Sequence, residues 1–95
     1  MLSVKEAAAK AAEYFKDFYD SRFGNVMLEE VEQHLEADGK YWYITLGYDV
    51  PPQDLSELFR SRQGAKPPRE YKIFKIDGST GEVLSMKIRE VAAVE

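Results

Sequence analysis

The fold is decided by one stretch of the sequence, residues 31–46, which reads VEQHLEADGKYWYITL. Apolar residues alternate with polar ones on both sides of Asp38-Gly39, as expected of two strands that each bury one face. Asp-Gly favours a two-residue type I′ turn, in which both central positions need positive φ. We therefore predict an antiparallel hairpin, because turn chemistry and apolar phase agree. The expected pairs on the buried face are Leu35 with Trp42, Gln33 with Ile44 and Val31 with Leu46.

A helix is predicted before this hairpin, over residues 4–23. Ser3 and Glu6 have the spacing of a capping box, in which each side chain satisfies a free backbone N–H at the helix start. Gly24 is expected to end the helix as a left-handed cap. Apolar side chains recur at spacings of three and four, which gives the helix one apolar stripe. This stripe contains Val4, Ala8, Ala11, Phe15, Phe18 and Tyr19.

Four strands are predicted, with an irregular insert between the second and the third. Pro51-Pro52 and Pro67-Pro68 lie near the ends of this insert, residues 50–69, and Asp54 is expected to cap a short helix within it. Glu29-Glu30 breaks the apolar phase of the first strand and predicts a bulge there. The predicted strands cover about residues 27–37, 40–49, 70–77 and 82–91.

In the second hairpin, Phe74, Ile76 and Val83 are expected to face away from the helix. That face would then expose more apolar surface than a soluble sheet normally does, so the insert or a second chain is expected to cover it. The side chains expected on the helix side are Tyr71, Ile73, Leu84, Met86 and Ile88.

Together these elements predict a single α+β domain over residues 1–95, with an N-terminal helix packed on a four-stranded antiparallel sheet. A chain of 95 residues is long enough for one core and too short for two. Its 44% hydrophobic residues argue for a folded chain.

Composition also narrows the function. A net charge of -4 argues against nucleic acid as a partner, because phosphate binding needs clustered cations. The absence of cysteine removes disulfides and thiolate sites. No apolar run approaches the roughly 18 residues that a membrane span needs, and no signal peptide is visible. We therefore expect no membrane association and a cytoplasmic location, or a periplasmic one if a signal peptide has been removed.

The stretch 71–84, which reads YKIFKIDGSTGEVL, together with the order helix, hairpin, insert, hairpin, resembles the PepSY-type domains. Those modules typically close on an apolar strand, an Asp, a short polar turn and Gly-Glu-Val. The resemblance implies a cystatin-like arrangement and a role in binding or restraining peptidases, with no catalytic residues to carry over. The chain is similar to small bacterial toxin-immunity proteins as well, which also have an aromatic hairpin and a late Asp-x-x-x-Gly turn.

The one histidine offers a candidate for chemistry. His34 shares a strand face with Glu32 and Glu36, an arrangement that suits a general base or a metal ligand set. The sequence supplies neither a second nitrogen ligand nor an evident nucleophile, so we interpret the three residues as a solvated sheet face. We predict no catalytic residue, no metal ligand and no cofactor.

We expect a non-enzymatic binding module that acts through a sheet face or edge on a protein partner, or on a second copy as a homodimer. Two alternatives stay open: a ligand or enzyme-like pocket between helix and sheet, for which Gln33 is the best inward polar residue, and an acidic immunity protein for a basic toxin. The predicted interaction surface consists of Tyr41, Tyr43, Phe74, Ile76, Arg60 and Arg62.

Overall fold

In a computed structural model, which describes residues 1–89, an N-terminal helix packs on one face of a four-stranded antiparallel sheet. Each strand is hydrogen-bonded to its neighbour in sequence, so the sheet order is β1-β2-β3-β4. The predicted α+β class is confirmed. The end predicted for the fourth strand, residues 90–91, lies outside the described residues. The elements are α1 (Val4–Phe18), β1 (Met27–Glu36), β2 (Gly39–Asp49), α2 (Leu55–Arg62), β3 (Arg69–Asp77) and β4 (Val83–Ile88).

Helix α1 begins at the predicted capping box and ends earlier than predicted. The backbone N–H of Glu6 donates to Ser3 Oγ over 3.2 Å, and Ser3 N–H donates to Glu6 Oε1 over 3.1 Å. Tyr19 is already extended, with φ -128° and ψ 135°. The left-handed residue after the helix is Asn25, at φ 54°, and not Gly24.

This early end has a packing cause. Once the chain leaves the helix, the ring of Tyr19 stacks on Phe15 with centroids 4.6 Å apart, and Phe23 meets the edge of Tyr19 at 4.9 Å. Both rings also approach Tyr48, which is fully buried on β2. Aromatic rings packed in this way bury a large apolar area, which stabilises the early exit of the chain from the helix.

The core lies between α1 and the central strands. Ala7 and Ala11 are fully buried, and their small side chains let the helix approach the sheet closely, while Phe15 contacts Tyr48 at 4.7 Å between centroids. Helix α1 packs against β2, β3 and β4. The buried apolar cluster comprises Ala7, Ala11, Phe15, Ile44, Leu46, Tyr48, Phe74 and Ile76.

The first hairpin is antiparallel as predicted, but its register differs by two residues. The loop consists of Ala37 and Asp38, and Glu36 pairs with Gly39. Neither loop residue has positive φ, so the turn is not type I′, and Gly39 takes the positive value instead. A slip of two residues keeps every side chain on its face, so the predicted faces hold. The expected pairs are replaced by Leu35 with Lys40, Gln33 with Trp42 and Val31 with Ile44.

The prediction of which β3 side chains face the helix is wrong. Phe74 and Ile76 are 0% exposed and face the helix, because β3 pairs Phe74 with Ile44 and Ile76 with Trp42. Tyr71 and Ile73 therefore lie on the opposite side of the sheet. On β4, Val83 packs against the core where we expected it to face away, and Met86 packs there as predicted. Leu84 and Ile88 are exposed.

Strand β1 is the least covered part of the sheet. Leu35, expected in the core, is 78% exposed, and Leu28 is 48% exposed. Both lie on the helix side of the sheet, since Leu35 pairs with Lys40 and Leu28 with Leu46. The predicted bulge is present between Leu28 and Glu30. Within residues 1–89, no helix combines the length and the apolar character needed to cross a membrane.

Replacing one isoleucine on each face of β3 by alanine tests which face of this strand packs against the core. We expect Ile76→Ala to lower the free energy of unfolding by about 2–5 kcal/mol, because it leaves a cavity in the core. Ile73→Ala, the same change on the same strand, should cost clearly less, since Ile73 is only partly buried. Urea denaturation of both variants measures the difference. An equal or larger cost at Ile73 would contradict the described phase.

Candidate functional site

The side of the sheet away from α1, here called the outer face, carries a network of polar and aromatic side chains. Tyr43 on β2 donates its hydroxyl to Glu36 Oε2 over 2.6 Å, and Lys75 Nζ on β3 donates to Glu36 Oε1 over 3.3 Å. The bond from Tyr43, with the charge of Lys75, lowers the pKa of Glu36 below its usual value. The Glu36 carboxylate, on β1, is thus held in its ionised form by donors on β2 and β3.

Lys75 also fixes the second predicted tyrosine. Its ammonium lies 4.3 Å from the ring centroid of Tyr41, a cation–π distance. Tyr41 is only 7% exposed, because its ring lies under Lys75 and against Gly39. Burial raises the pKa of the Tyr41 hydroxyl. Tyr41 and Tyr43 are therefore brought together as predicted, but as parts of a network that the chain satisfies internally.

His34 extends this network along β1. His34 Nε2 and Glu32 Oε2 are 2.8 Å apart, and the imidazole lies 4.5 Å from the ring of Tyr43. The bond to His34 lowers the pKa of Glu32. Within residues 1–89, the His, Asp and Glu side chains nowhere form a group of three able to hold a metal ion. The chemistry of the outer face is that of ion pairs and hydrogen bonds on an open sheet.

Further along the outer face, the remaining glutamates of β1 also have cationic neighbours. Arg89 lies 3.0 Å from Glu30 and donates to Thr45 Oγ1 over 3.1 Å. Arg69 lies 2.7 Å from Asp49 and 3.6 Å from Glu29. The acidity of β1 is largely neutralised within the chain, so β1 is less strongly acidic than its sequence indicates.

The other predicted surface residues lie elsewhere. Phe74 and Ile76 are buried under the helix and cannot form an exposed face. Arg60 and Arg62 are exposed on α2, which follows β2 at its Asp49 end, whereas Tyr41 lies at the opposite end beside Asp77. Arg60 also lines a cleft of about 250 Å³ inside the insert. The structure therefore divides the six predicted residues among three places.

Sequence reasoning missed the part of β1 that α1 does not cover. We call this part, residues 28–36 with their free backbone edge, the β1 strip. Its helix-side residues are Leu28, Val31, Gln33 and Leu35, and all but the half-buried Val31 are exposed. The alternation of Val31, Gln33 and Leu35 is visible in the sequence and predicts a buried face for these three residues. The sequence pattern does not show that helix α1 packs over β2, β3 and β4 and leaves β1 uncovered.

The backbone of β1 is open as well. The carbonyl of Lys40 accepts a hydrogen bond from Gly78 N–H on the β3 side, so Lys40 turns its peptide groups away from β1. Its partner Leu35 then belongs to a non-hydrogen-bonded pair of the ladder. By the same alternation, Val31, Gln33 and Leu35 direct N–H and C=O groups to the free edge. This edge is a ready template for another strand.

No protein-family model, no curated protein and no solved structure matches this chain.

The pKa of Glu36 provides a test of the outer-face network. In Tyr43→Phe the donor to Glu36 is lost, so we expect the Glu36 pKa to rise toward its ordinary value. The stabilisation that Tyr43 gives is present above that ordinary pKa and is lost as pH falls through the lowered folded pKa. Carboxyl ¹³C NMR titration and denaturation at several pH values measure both effects.

Tyr71→Phe is the matched control, because Tyr71 lies on the same face beside Gly47 and away from Glu36. The network as described would be wrong if Tyr43→Phe left the Glu36 titration unchanged, or if Tyr71→Phe altered it equally.

Proposed function

We propose that this chain is a non-enzymatic protein-binding module that accepts an extended segment of another polypeptide along the free edge of β1. The observation that carries the proposal is that one edge of β1 pairs with no other strand of residues 1–89, while apolar side chains of the same strand are exposed. Strand addition uses both features: main-chain bonds supply affinity, and alternate side chains supply specificity.

The exposed apolar side chains of β1 indicate at which positions an added strand would be bound most strongly. Leu35 and Leu28 are exposed next to the edge and on the helix side, so every second residue of an added strand would lie beside them. Apolar residues at those positions would remove apolar area from water, which stabilises a complex. On the outer face, the same strand would run past Glu32 and His34.

The other edge of the sheet supports this role less well. Strand β4 has six described residues, and its register shifts where β3 passes from Lys75 to Ile76. A short edge with a bulge is a common protection against strand addition. In β1 the shift lies near the beginning of the strand, and the ladder from Glu30 to Glu36 is uninterrupted.

The pocket alternative has less support. The space between α1 and the sheet is occupied by Ala7, Ala11 and Phe15 packed against the buried apolar residues of β2 and β3. Gln33, the polar residue expected to point into such a pocket, is exposed on the edge strand. A PepSY-type relationship remains part of our proposal, supported by the element order of α1, two hairpins and an insert.

Peptide selection tests the proposal. Random peptides on phage are selected against the wild-type chain and assigned to a surface by ¹⁵N NMR. We expect selected peptides to alternate apolar and polar residues and to shift the amides of β1. Gln33→Pro should weaken their binding by about tenfold or more, because proline removes an edge N–H that the monomer does not use.

Gln33→Ala is the matched control, since it shortens the same side chain and keeps the N–H. We expect it to bind the peptides nearly as well as the wild type. The proposal fails if peptides shift α2 or β4 in place of β1. It also fails if folded Gln33→Pro, checked by circular dichroism, binds them as well as Gln33→Ala does.

A further inference from the structure

Building on the proposed function, we propose that the polypeptide accepted by β1 is β1 of a second copy of this chain, paired antiparallel about a two-fold axis at Gln33. The β1 strip has a pattern of charge and apolar side chains that is complementary to itself in this register. The result would be one continuous eight-stranded sheet, with both copies of α1 on the same side.

The backbone restricts the possible registers. Val31, Gln33 and Leu35 direct their peptide groups to the free edge, so these residues must meet one another across a two-fold axis. Three symmetric registers then keep the strands well overlapped, centred on Glu32, Gln33 or His34. Side chains decide among them, because residues directly opposite each other have Cβ atoms only about 4.5–5.5 Å apart.

In the register centred on Gln33, Val31 of one copy lies opposite Leu35 of the other, twice. These pairs are on the helix side, where Leu35 is otherwise 78% exposed. On the outer face, Glu32 of each copy lies opposite His34 of the other, also twice. Glu32 Oε2 lies 2.8 Å from Nε2 of the His34 in its own chain, so its other carboxylate oxygen can accept from the imidazole of the second copy. An imidazolium, which has an N–H on each ring nitrogen, supplies both bonds.

The two neighbouring registers place carboxylates opposite each other and leave Leu35 without an apolar partner. Centring on Glu32 sets that carboxylate opposite its own copy, and centring on His34 sets Glu32 opposite Glu36. Like charges directly opposite each other destabilise a strand pair. Both alternatives also separate Val31 from Leu35 and so leave the most exposed apolar side chain of β1 without an apolar partner.

The register centred on Gln33 also places like charges opposite each other, since Glu30 of each copy faces Glu36 of the other, twice. Each of these carboxylates already has a cation in its own chain. Arg89 lies 3.0 Å from Glu30, and Lys75 lies 3.3 Å from Glu36. The pair that would oppose dimerisation is therefore the pair that the chain neutralises, while Glu32, whose ion-pair partner within residues 1–89 is His34, is the carboxylate placed opposite histidine.

A charge-exchange experiment tests this register. Sedimentation equilibrium over a dilution series should show a monomer–dimer equilibrium for the wild type. Glu32→Lys and His34→Glu should each weaken the dimer by about tenfold, because each places two like-charged or mismatched pairs across the axis. An equimolar mixture of the two variants should dimerise more strongly than either variant alone.

The mixture distinguishes an effect between chains from one within a chain. In the mixed dimer the new lysine faces the new glutamate, and the native histidine faces the native Glu32, so both outer-face pairs are favourable. Glu13→Lys, an exposed change of the same charge on α1, is the control and should leave dimerisation unchanged. Circular dichroism establishes that each variant is folded.

The outcomes separate this inference from the proposed function. A wild type that stays monomeric yet binds selected peptides along β1 overturns the self-pairing and leaves the binding module standing. A dimer that the two single variants do not weaken, or that the mixture does not restore, also overturns it, because the contact would lie elsewhere. Restoration in the mixture, with loss of the dimer in Gln33→Pro and retention in Gln33→Ala, supports both.

Discussion

The structure depends on one geometric constraint, which is that helix α1 is too narrow to cover all four strands of the sheet. An α-helix with its side chains is about 10–12 Å wide, and strands are spaced about 4.8 Å apart, so the outermost strand axes of this sheet lie about 14 Å apart. The helix packs on β2, β3 and β4, where Ala7 and Ala11 allow close approach. The apolar face of β1 extends past the helix. The exposure of Leu35 follows from this geometry and not from any irregularity of the strand.

The first hairpin shows what local turn chemistry can and cannot fix. Alternation on either side of Asp38 predicts two strands and the faces of their side chains, and the structure confirms both. The pairing was predicted from a type I′ turn, which needs positive φ at Asp38 as well as at Gly39. Asp38 keeps a negative φ, so the loop moves back by one residue and the pairing shifts by two. The faces are unaffected because the side-chain period of a strand is also two.

The second hairpin could not be assigned from its own residues. Both phases of β3 carry apolar side chains, with Tyr71 and Ile73 in one and Phe74 and Ile76 in the other. Each phase also carries one lysine, Lys72 in the core phase and Lys75 in the other, so charge does not decide between them. In the fold Lys72 is nearly buried, with its ammonium 5.9 Å from the ring of Tyr19. A lysine can extend its aliphatic stem through a core in this way when an aromatic ring lies near its charge. This phase error accounts for Phe74 and Ile76, which lie in the core and not on the predicted interaction surface. The β1 strip shows the opposite error, because its alternation predicts a core position for Leu35, which is exposed.

The two edges of the sheet differ in how well they are protected against pairing with another strand. Sheets whose edges face water usually carry charges that point inward, short edge strands, prolines or bulges, since an open edge invites unwanted pairing. Within residues 1–89, strand β4 has a register shift and six residues. Strand β1 has an uninterrupted ladder from Glu30 to Glu36, apolar side chains on its helix side, and glutamates with cationic partners in the same chain. A sheet with one protected edge and a second, longer edge whose charges are neutralised fits the strand pairing that we propose at β1. The features that would count as a liability in a monomer are thus the ones that a strand-pairing module requires.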